Sequence, residues 1–302
     1  MKKRRIFVAL LVIFVLFIVS AILSVALNLG FERPVVGDRI GVVEINGIIK
    51  SSDEVLKQLS EFDNDKKIKA IILRIDSPGG AVGPSQEIYS EVMKIRKKKP
   101  VVASIGTLGA SGGYYIACGA NKIVANPGTI TGSIGVIIQF YNFQQLLNKF
   151  GIKGNTVKSG EFKDTGSPIR EMTKEERAYI QSVIDDVHNQ FVDAVSAGRN
   201  LKKENILPIA DGRIITGKRA KELKLIDETG NFNDAVNLAK KLANVEGEPK
   251  LVYAKKKKAS LLDLLSGFSE NDSKSKVLML LSELRLPFYL TPLMEIDSLI
   301  HE

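Results

Sequence analysis

Two glycine-rich turns contain the residues whose types and spacing could carry out catalysis. The string D-S-P-G-G occupies residues 76–80, the string G-A-S-G-G-Y-Y occupies residues 109–115, and each follows an apolar run typical of a strand. Ligands bind at the carboxyl ends of the strands in parallel α/β sheets, and a serine in a strand-to-helix turn presents its hydroxyl there. The small residues around Ser111 would let a peptide backbone approach, and amides at a helix N-terminus can stabilise an oxyanion. Ser111 is the candidate nucleophile, and the alternative is a plain helix cap in a tightly packed turn.

A serine nucleophile needs a base, and histidine is scarce in this chain. His188 falls among polar residues of a predicted helix, which favours a surface or groove position, and His301 is the penultimate residue. A lysine is the alternative base, and it must be neutral to accept a proton, so its pKa has to fall from about 10.4. The string K-S-G-E-F-K-D at residues 158–164 contains Lys158 and Lys163. The local sequence does not indicate which of these two lysines would be the base.

The composition argues against several other classes of function. The chain has 302 residues, of which 44% are hydrophobic and 25% are charged, as in ordinary globular enzymes. Basic runs at residues 2–5 and 255–258 supply eight of the net charge of +9, so the remainder is nearly neutral and shows no nucleic-acid footprint. One cysteine and two histidines give neither a disulfide nor a zinc-ligand spacing. We therefore expect no nucleic-acid partner, no metal and no cofactor.

The N-terminal segment predicts a membrane anchor. Residues 6–27 form an apolar run that is interrupted only by Ser20 and Ser24, and at about 1.5 Å per residue it would cross the ~30 Å hydrocarbon layer. A cleavable signal peptide is the alternative, although its apolar region is usually shorter. Four basic residues precede the run, so the positive-inside rule predicts a cytoplasmic N-terminus. We expect a single-pass anchor over residues 1–30 in the cell membrane, with the catalytic domain outside the cytoplasm.

The rest of the chain alternates between short branched apolar runs and amphipathic helical patterns. The patterns predict strands over residues 40–45, 70–75, 101–105, 122–125 and 135–139, and helices over residues 53–62, 85–98, 174–199 and 233–242. Thr173 with Glu176 predicts a capping box at the start of the longest helix. Strands separated by helices indicate an α/β fold with a mainly parallel sheet. We expect one catalytic domain over residues 38–245 and a tail over residues 246–302 that docks on the protein's groove or on the membrane.

Five ordered motifs resemble the short, single-unit form of signal peptide peptidase A, a family of membrane-anchored Ser-Lys proteases with the Clp-protease/crotonase-like fold. They are the three strings quoted above together with T-G-S-I-G-V at residues 131–136 and D-G-R-I-I-T-G-K-R-A at residues 211–220. The resemblance covers about residues 38–245. One departure is Lys224, where the family usually has glycine, and this position concerns a helix cap and not the catalysis.

The resemblance implies a role for five residues. Ser111 matches the nucleophile, Lys163 the general base and Ser133 the hydroxyl that orients the lysine. The amides of Gly80 and Gly112 match the oxyanion hole.

The resemblance also implies substrates and an assembly. The expected substrates are remnant signal peptides and other short apolar peptides. The expected assembly is a homo-oligomeric ring in which Ser111 of one protomer meets Lys163 of its neighbour. Two alternatives stay open: an acyl-CoA enzyme of the crotonase type, which would need neither residue nor an anchor, and a non-catalytic membrane scaffold.

Overall fold

The computed structural model describes residues 13–20 and 38–254. Residues 13–20 are helical. Strands and helices then alternate along the chain in this order: β1 (Arg39–Ile49), α1 (Asp53–Asn64), β2 (Ile68–Gly80), α2 (Val82–Ile95), β3 (Val101–Ala110), α3 (Gly112–Cys118), β4 (Lys122–Ala125), β5 (Ile130–Gly132), α4 (Gln144–Lys149), α5 (Lys174–Arg199), α6 (Lys203–Ile206), a 3₁₀ turn (Leu207–Ile209), β6 (Ile214–Thr216), α7 (Gly217–Glu222), β7 (Glu228–Thr229), α8 (Phe232–Leu242) and β8 (Lys250–Tyr253).

One sheet organises the described part of the chain from residue 38 to residue 254. Its main path has the strand order β6-β5-β3-β2-β1-β8, while β4 pairs with β3 and β7 pairs with β4. Every pair is parallel except β5 with β6. The predicted α/β fold with a mainly parallel sheet is therefore confirmed.

Helices cover both faces of this sheet, which explains why its central strands are nearly continuous apolar runs. Along β1 and β2 alternate side chains enter two different cores, because successive residues of a strand point to opposite faces. The larger core contains Val43, Ile45, Ile71, Leu73 and Ile75 with residues of α2, α3 and α5. The smaller core contains Ile40, Val42, Ala70 and Ile72 with Ala235 and Ala239 of α8.

Several predicted boundaries differ from the structure. β2 and β3 continue through the glycine-rich motifs to Gly80 and Ala110, so both motifs lie at strand carboxyl ends, as predicted. The predicted strand at residues 135–139 is wrong: this segment has no regular structure, and Ile137 is 77% exposed. Beyond the predicted domain end at residue 245, β8 adds a further parallel strand beside β1.

The longest helix, α5, begins and ends where the sequence predicts. The Glu176 amide donates to Thr173 Oγ1 at 3.1 Å, and the Thr173 amide donates to Glu176 Oε2 at 2.9 Å. This reciprocal pair is the predicted capping box, and it satisfies amide groups that a helix N-terminus leaves without intrahelical acceptors.

Within residues 13–20 and 38–254, no helix combines the length and the apolar character that a membrane crossing needs. The predicted span over residues 6–27 lies mostly outside these residues, so the anchor stays a prediction. The tail from residue 255 onward also lies outside them, and its docking stays a prediction as well.

Lys224 follows the end of α7 with φ 60°, a left-handed conformation that side chains disfavour and glycine adopts freely. Lys224→Gly is therefore expected to raise the free energy of unfolding by about 0.5–1 kcal/mol, because it relieves this strain. Equilibrium denaturation measures the change. Lys221→Gly, which places glycine inside α7 instead, should lower stability by up to about 1 kcal/mol. Equal effects of the two substitutions would contradict the explanation.

Candidate active site

Ser111 is the single residue between the end of β3 and the start of α3. Its φ of 50° and ψ of −122° are unusual for a residue with a side chain and belong to a strained strand-to-helix turn. Two backbone hydrogen bonds hold this conformation: the Ser111 amide donates to the Gly132 carbonyl at 2.9 Å, and the Tyr115 amide donates to the Ser111 carbonyl at 2.8 Å. The turn therefore fixes the half-buried Ser111 side chain at the carboxyl end of an interior strand.

The backbones of two glycine-rich segments approach each other beside Ser111. Gly112 is the first residue of α3, so its amide has no acceptor within the helix. A Cβ atom on Gly112 would lie 3.3 Å from the Gly80 amide nitrogen, and one on Gly79 would lie 2.7 Å from the Gly112 amide nitrogen. The structure thus brings Gly80, Gly112 and Ser111 together.

Two side chains without a predicted role, Ser77 and Asp76, hold these turns in place. The Ser77 hydroxyl donates to the Gly47 carbonyl at 2.6 Å and accepts from the Gly79 amide at 3.1 Å. The Asp76 carboxylate accepts from the Leu108 amide at 3.1 Å, just before the second motif. The adjacent Asp76 and Ser77 could have predicted this role, because Asp and Ser side chains commonly form hydrogen bonds with nearby backbone amides in turns.

A small cavity of ≈ 100 Å³ opens beside Ser111, Gly80 and Gly112. Its other lining residues include the apolar side chains of Val82, Tyr115, Val136, Ile137, Val187 and Phe191. The rings of Tyr115 and Phe191 pack with their centroids 4.8 Å apart. Such a cavity can take a small apolar group next to the Ser111 hydroxyl.

A larger cavity of ≈ 450 Å³ is lined by both Ser111 and Ser133. Ser133 has φ 51°, and its amide donates to the Arg213 carbonyl at 2.8 Å. The Arg213 side chain hydrogen-bonds to Asp211, another lining residue, and lowers the pKa of that carboxyl to about 2. A carboxylate therefore faces this cavity over the working pH range.

His188 lines the larger cavity as well, so it occupies a groove, one of the two positions that the sequence favours. Its Nε2 atom lies 2.7 Å from the Ala210 carbonyl oxygen. A carbonyl oxygen only accepts hydrogen bonds, so Nε2 carries the proton and donates it. This bond anchors the loop that leads to Arg213.

Cys118 on α3 is buried and free. Burial raises the pKa of its thiol to about 12. Since the thiolate is the nucleophilic form, Cys118 is not a competing nucleophile near neutral pH.

Lys163 lies apart from these groups. It occupies an exposed turn after Gly160 and lines neither of the two cavities. Among the residues described, its side chain makes no hydrogen bond or ion pair, whereas Lys158 pairs with Asp164. The structure of one chain therefore brings Ser111, Ser133, Gly80 and Gly112 together and leaves Lys163 outside the group.

A strained serine at the end of a parallel strand, with glycine amides beside it, is the arrangement of a hydrolase site. Residues 93–246 match the model of peptidase family S49, and residues 39–129 match that of Clp protease. The chain belongs to peptidase family S49. The Clp protease match agrees with the predicted fold family.

Three relatives extend this result. A protein of Synechocystis sp., provisionally named as a protease, is 47% identical over 69% of this chain and 76% of its own length. One of Methanocaldococcus jannaschii, also provisionally named as a protease, is 34% identical over 86% of this chain and 90% of its own. One of Enterococcus faecium, provisionally named signal peptide peptidase SppA, is 38% identical over 67% of this chain and 63% of its own. The predicted resemblance to signal peptide peptidase A is confirmed.

Proposed function

We propose that this chain is a serine endopeptidase that uses Ser111 as its nucleophile and Lys163 as its general base. The observation that carries the proposal is the strained backbone of Ser111 at the end of β3, next to the amides of Gly80 and Gly112. Membership of a peptidase family supports the same reaction class.

The proposed chemistry has two steps. Ser111 Oγ attacks the carbonyl carbon of the scissile peptide bond, its proton passes to the neutral amine of Lys163, and the lysine returns a proton to the leaving amine. Water then cleaves the acyl-enzyme, with Lys163 again as the base. The amides of Gly80 and Gly112 stabilise the oxyanion in both steps, and the Ser133 hydroxyl orients the lysine.

Lys163 reaches Ser111 from another copy of the chain in this proposal. The exposed position of Lys163 and its absence from both cavities support a shared site. Large apolar side chains are exposed along the segment between Ser133 and Lys163, and these would be covered by a neighbour. They include Ile137, Tyr141, Leu146 and Phe150. A head-to-tail contact of this kind either closes into a ring or extends into a filament, and the proposed membrane anchor favours the closed ring.

The proposed substrates are remnant signal peptides and other short apolar peptides, cleaved outside the cytoplasm. The name of the Enterococcus faecium relative supports this class, as does the apolar lining of the small cavity. The apolar run at residues 6–27 supports an enzyme that is anchored in the cell membrane with its N-terminus in the cytoplasm.

A covalent serine-directed probe tests the proposed nucleophile. We expect a fluorophosphonate to label the full-length chain at Ser111, and peptide mass spectrometry identifies the labelled residue. Ser111→Ala should abolish labelling, whereas Ser182→Ala, which removes an exposed hydroxyl on α5, should not change it. Labelling of another residue, with Ser111 unmodified, would contradict the assignment of Ser111 as the nucleophile.

A further inference from the structure

Asp164 follows Lys163 in the sequence, and each of its two carboxylate oxygens is bound by another cationic side chain. Lys158 Nζ lies 2.5 Å from Asp164 Oδ1, and Arg170 Nε lies 2.8 Å from Asp164 Oδ2. The Asp164 side chain is only 14% exposed. Both of its oxygens therefore have charged partners, and neither partner is Lys163.

Arg170 is itself held in place by a second carboxylate. Its Nη1 atom donates to Glu176 Oε2 at 2.8 Å, its Nη2 atom pairs with Glu176 Oε1, and Nη2 also donates to the Asp164 carbonyl at 3.1 Å. Glu176 is 2% exposed and belongs to the capping box of α5. The guanidinium is thus fixed between the first turn of α5 and the turn that carries Lys163.

This arrangement matters for a lysine that must accept a proton. A carboxylate close to an ammonium group favours the charged form of that group, which cannot act as a base. Hydrogen bonds from Arg170 and Lys158 hold the pKa of Asp164 well below its usual range, so this carboxylate is ionised wherever the enzyme would work. Without these two partners, the Asp164 carboxylate would be available to form an ion pair with Lys163.

We propose that Lys158 and Arg170 hold the Asp164 carboxylate away from Lys163 and so leave Lys163 free to take the proton of Ser111. Lys158 and Arg170 are positioning residues in this proposal, which rests on Lys163 being the general base.

The other charged groups of this region do not replace Asp164 in the argument. Glu176 is paired with Arg170. Because Arg170→Gln would free this carboxylate as well, only a shift that Asp164→Asn reverses is assigned to Asp164. The remaining groups on the turn, on the segment before α5 and on its first turn are exposed: Glu161, Glu171, Lys174, Glu175 and Arg177.

Lys163 of a neighbour would enter the larger cavity, which Ser111 lines. In that cavity Asp211 is paired with Arg213, and the other titratable lining residues are Asp185 and His188.

The test is the pH dependence of kcat/KM for peptide hydrolysis by the full-length enzyme, which reports the ionisation of the free enzyme. Arg170→Gln frees one oxygen of Asp164, so the midpoint of the acid limb should move up by about one pH unit, with the alkaline plateau retained. Adding Asp164→Asn to Arg170→Gln should return the midpoint to its original position. Lys158→Gln frees the other oxygen and should shift the midpoint in the same direction.

The control is Arg219→Gln, which removes an exposed arginine whose Nη1 atom lies 2.7 Å from Glu222 Oε2. This substitution should leave the pH profile of kcat/KM unchanged. If Arg170 and Lys158 only stabilise the fold, their variants will lose thermal stability and plateau activity while the midpoint stays fixed. That result would overturn the inference, as would a shift that Asp164→Asn does not reverse.

Lys163→Ala, measured alongside, separates this inference from the proposed function. If Lys163→Ala abolishes turnover and the other variants do not move the midpoint, only the sequestration of Asp164 is wrong. If Lys163→Ala retains turnover, the assignment of the base is wrong, and the inference falls with it.

Discussion

Replacing Lys163 by alanine is expected to lower kcat/KM for an apolar peptide by at least about 10³-fold, because removal of a general base leaves Ser111 protonated during its attack. Activity of the unmodified enzyme should rise with pH into the alkaline range, since a lysine base works only after it has lost its proton. Steady-state hydrolysis of a fluorogenic peptide across the pH range measures both effects.

His188→Gln is the matched comparison, because His188 lies in the same cavity as Ser111. Glutamine keeps an N–H group that can donate to the Ala210 carbonyl but has no basic ring nitrogen. We expect activity within about tenfold of the unmodified enzyme, in line with a role that is limited to anchoring the loop. Loss of activity in His188→Gln with retention in Lys163→Ala would instead indicate a histidine-dependent mechanism.

Replacing Gly80 by alanine is expected to lower kcat by about 10²–10³-fold, the usual cost of losing one oxyanion-hole donor. The added Cβ atom would lie 2.2 Å from the carbonyl oxygen of Ile49 and 2.6 Å from its amide nitrogen. These are backbone atoms of the neighbouring strand, so the Gly80 segment itself must move, and its amide moves with it.

The control for this substitution is Gly83→Ala, three residues further along, where an added Cβ atom meets nothing within 4 Å. It should leave kcat unchanged. Circular dichroism and thermal unfolding show whether each variant is folded. A folded Gly80→Ala enzyme with full kcat would contradict the oxyanion-hole assignment.

The sequence predicts the periodic parts of the fold well. α5 has a clear capping box and a long helical pattern, and its observed bounds agree with the prediction. The carboxyl-terminal parts of β2 and β3 were missed, because glycine and proline normally end strands, whereas here pairing with neighbouring strands continues to Gly80 and to Ala110. The branched run at residues 135–139 has the composition of a strand, but no neighbouring strand pairs with it.

The sequence predicts those parts of the candidate site that lie at the carboxyl ends of strands. The proximity of Ser111, Gly80 and Gly112 follows from two adjacent parallel strands that each end in a glycine-rich turn. The groove position of His188 depends on how α5 packs, which a local pattern leaves open. The position of Lys163 relative to Ser111 depends, in the proposed enzyme, on a second copy of the chain.

The most direct test of the shared Ser111–Lys163 site is the activity of a mixed assembly of two inactive variants. Ser111→Ala and Lys163→Ala chains, each inactive alone, are combined under conditions that exchange subunits, and mixed oligomers are verified with two different affinity tags. We expect part of the peptidase activity to return, because some interfaces then pair an intact Ser111 with an intact Lys163. Verified mixed oligomers that stay inactive would contradict a site shared between protomers.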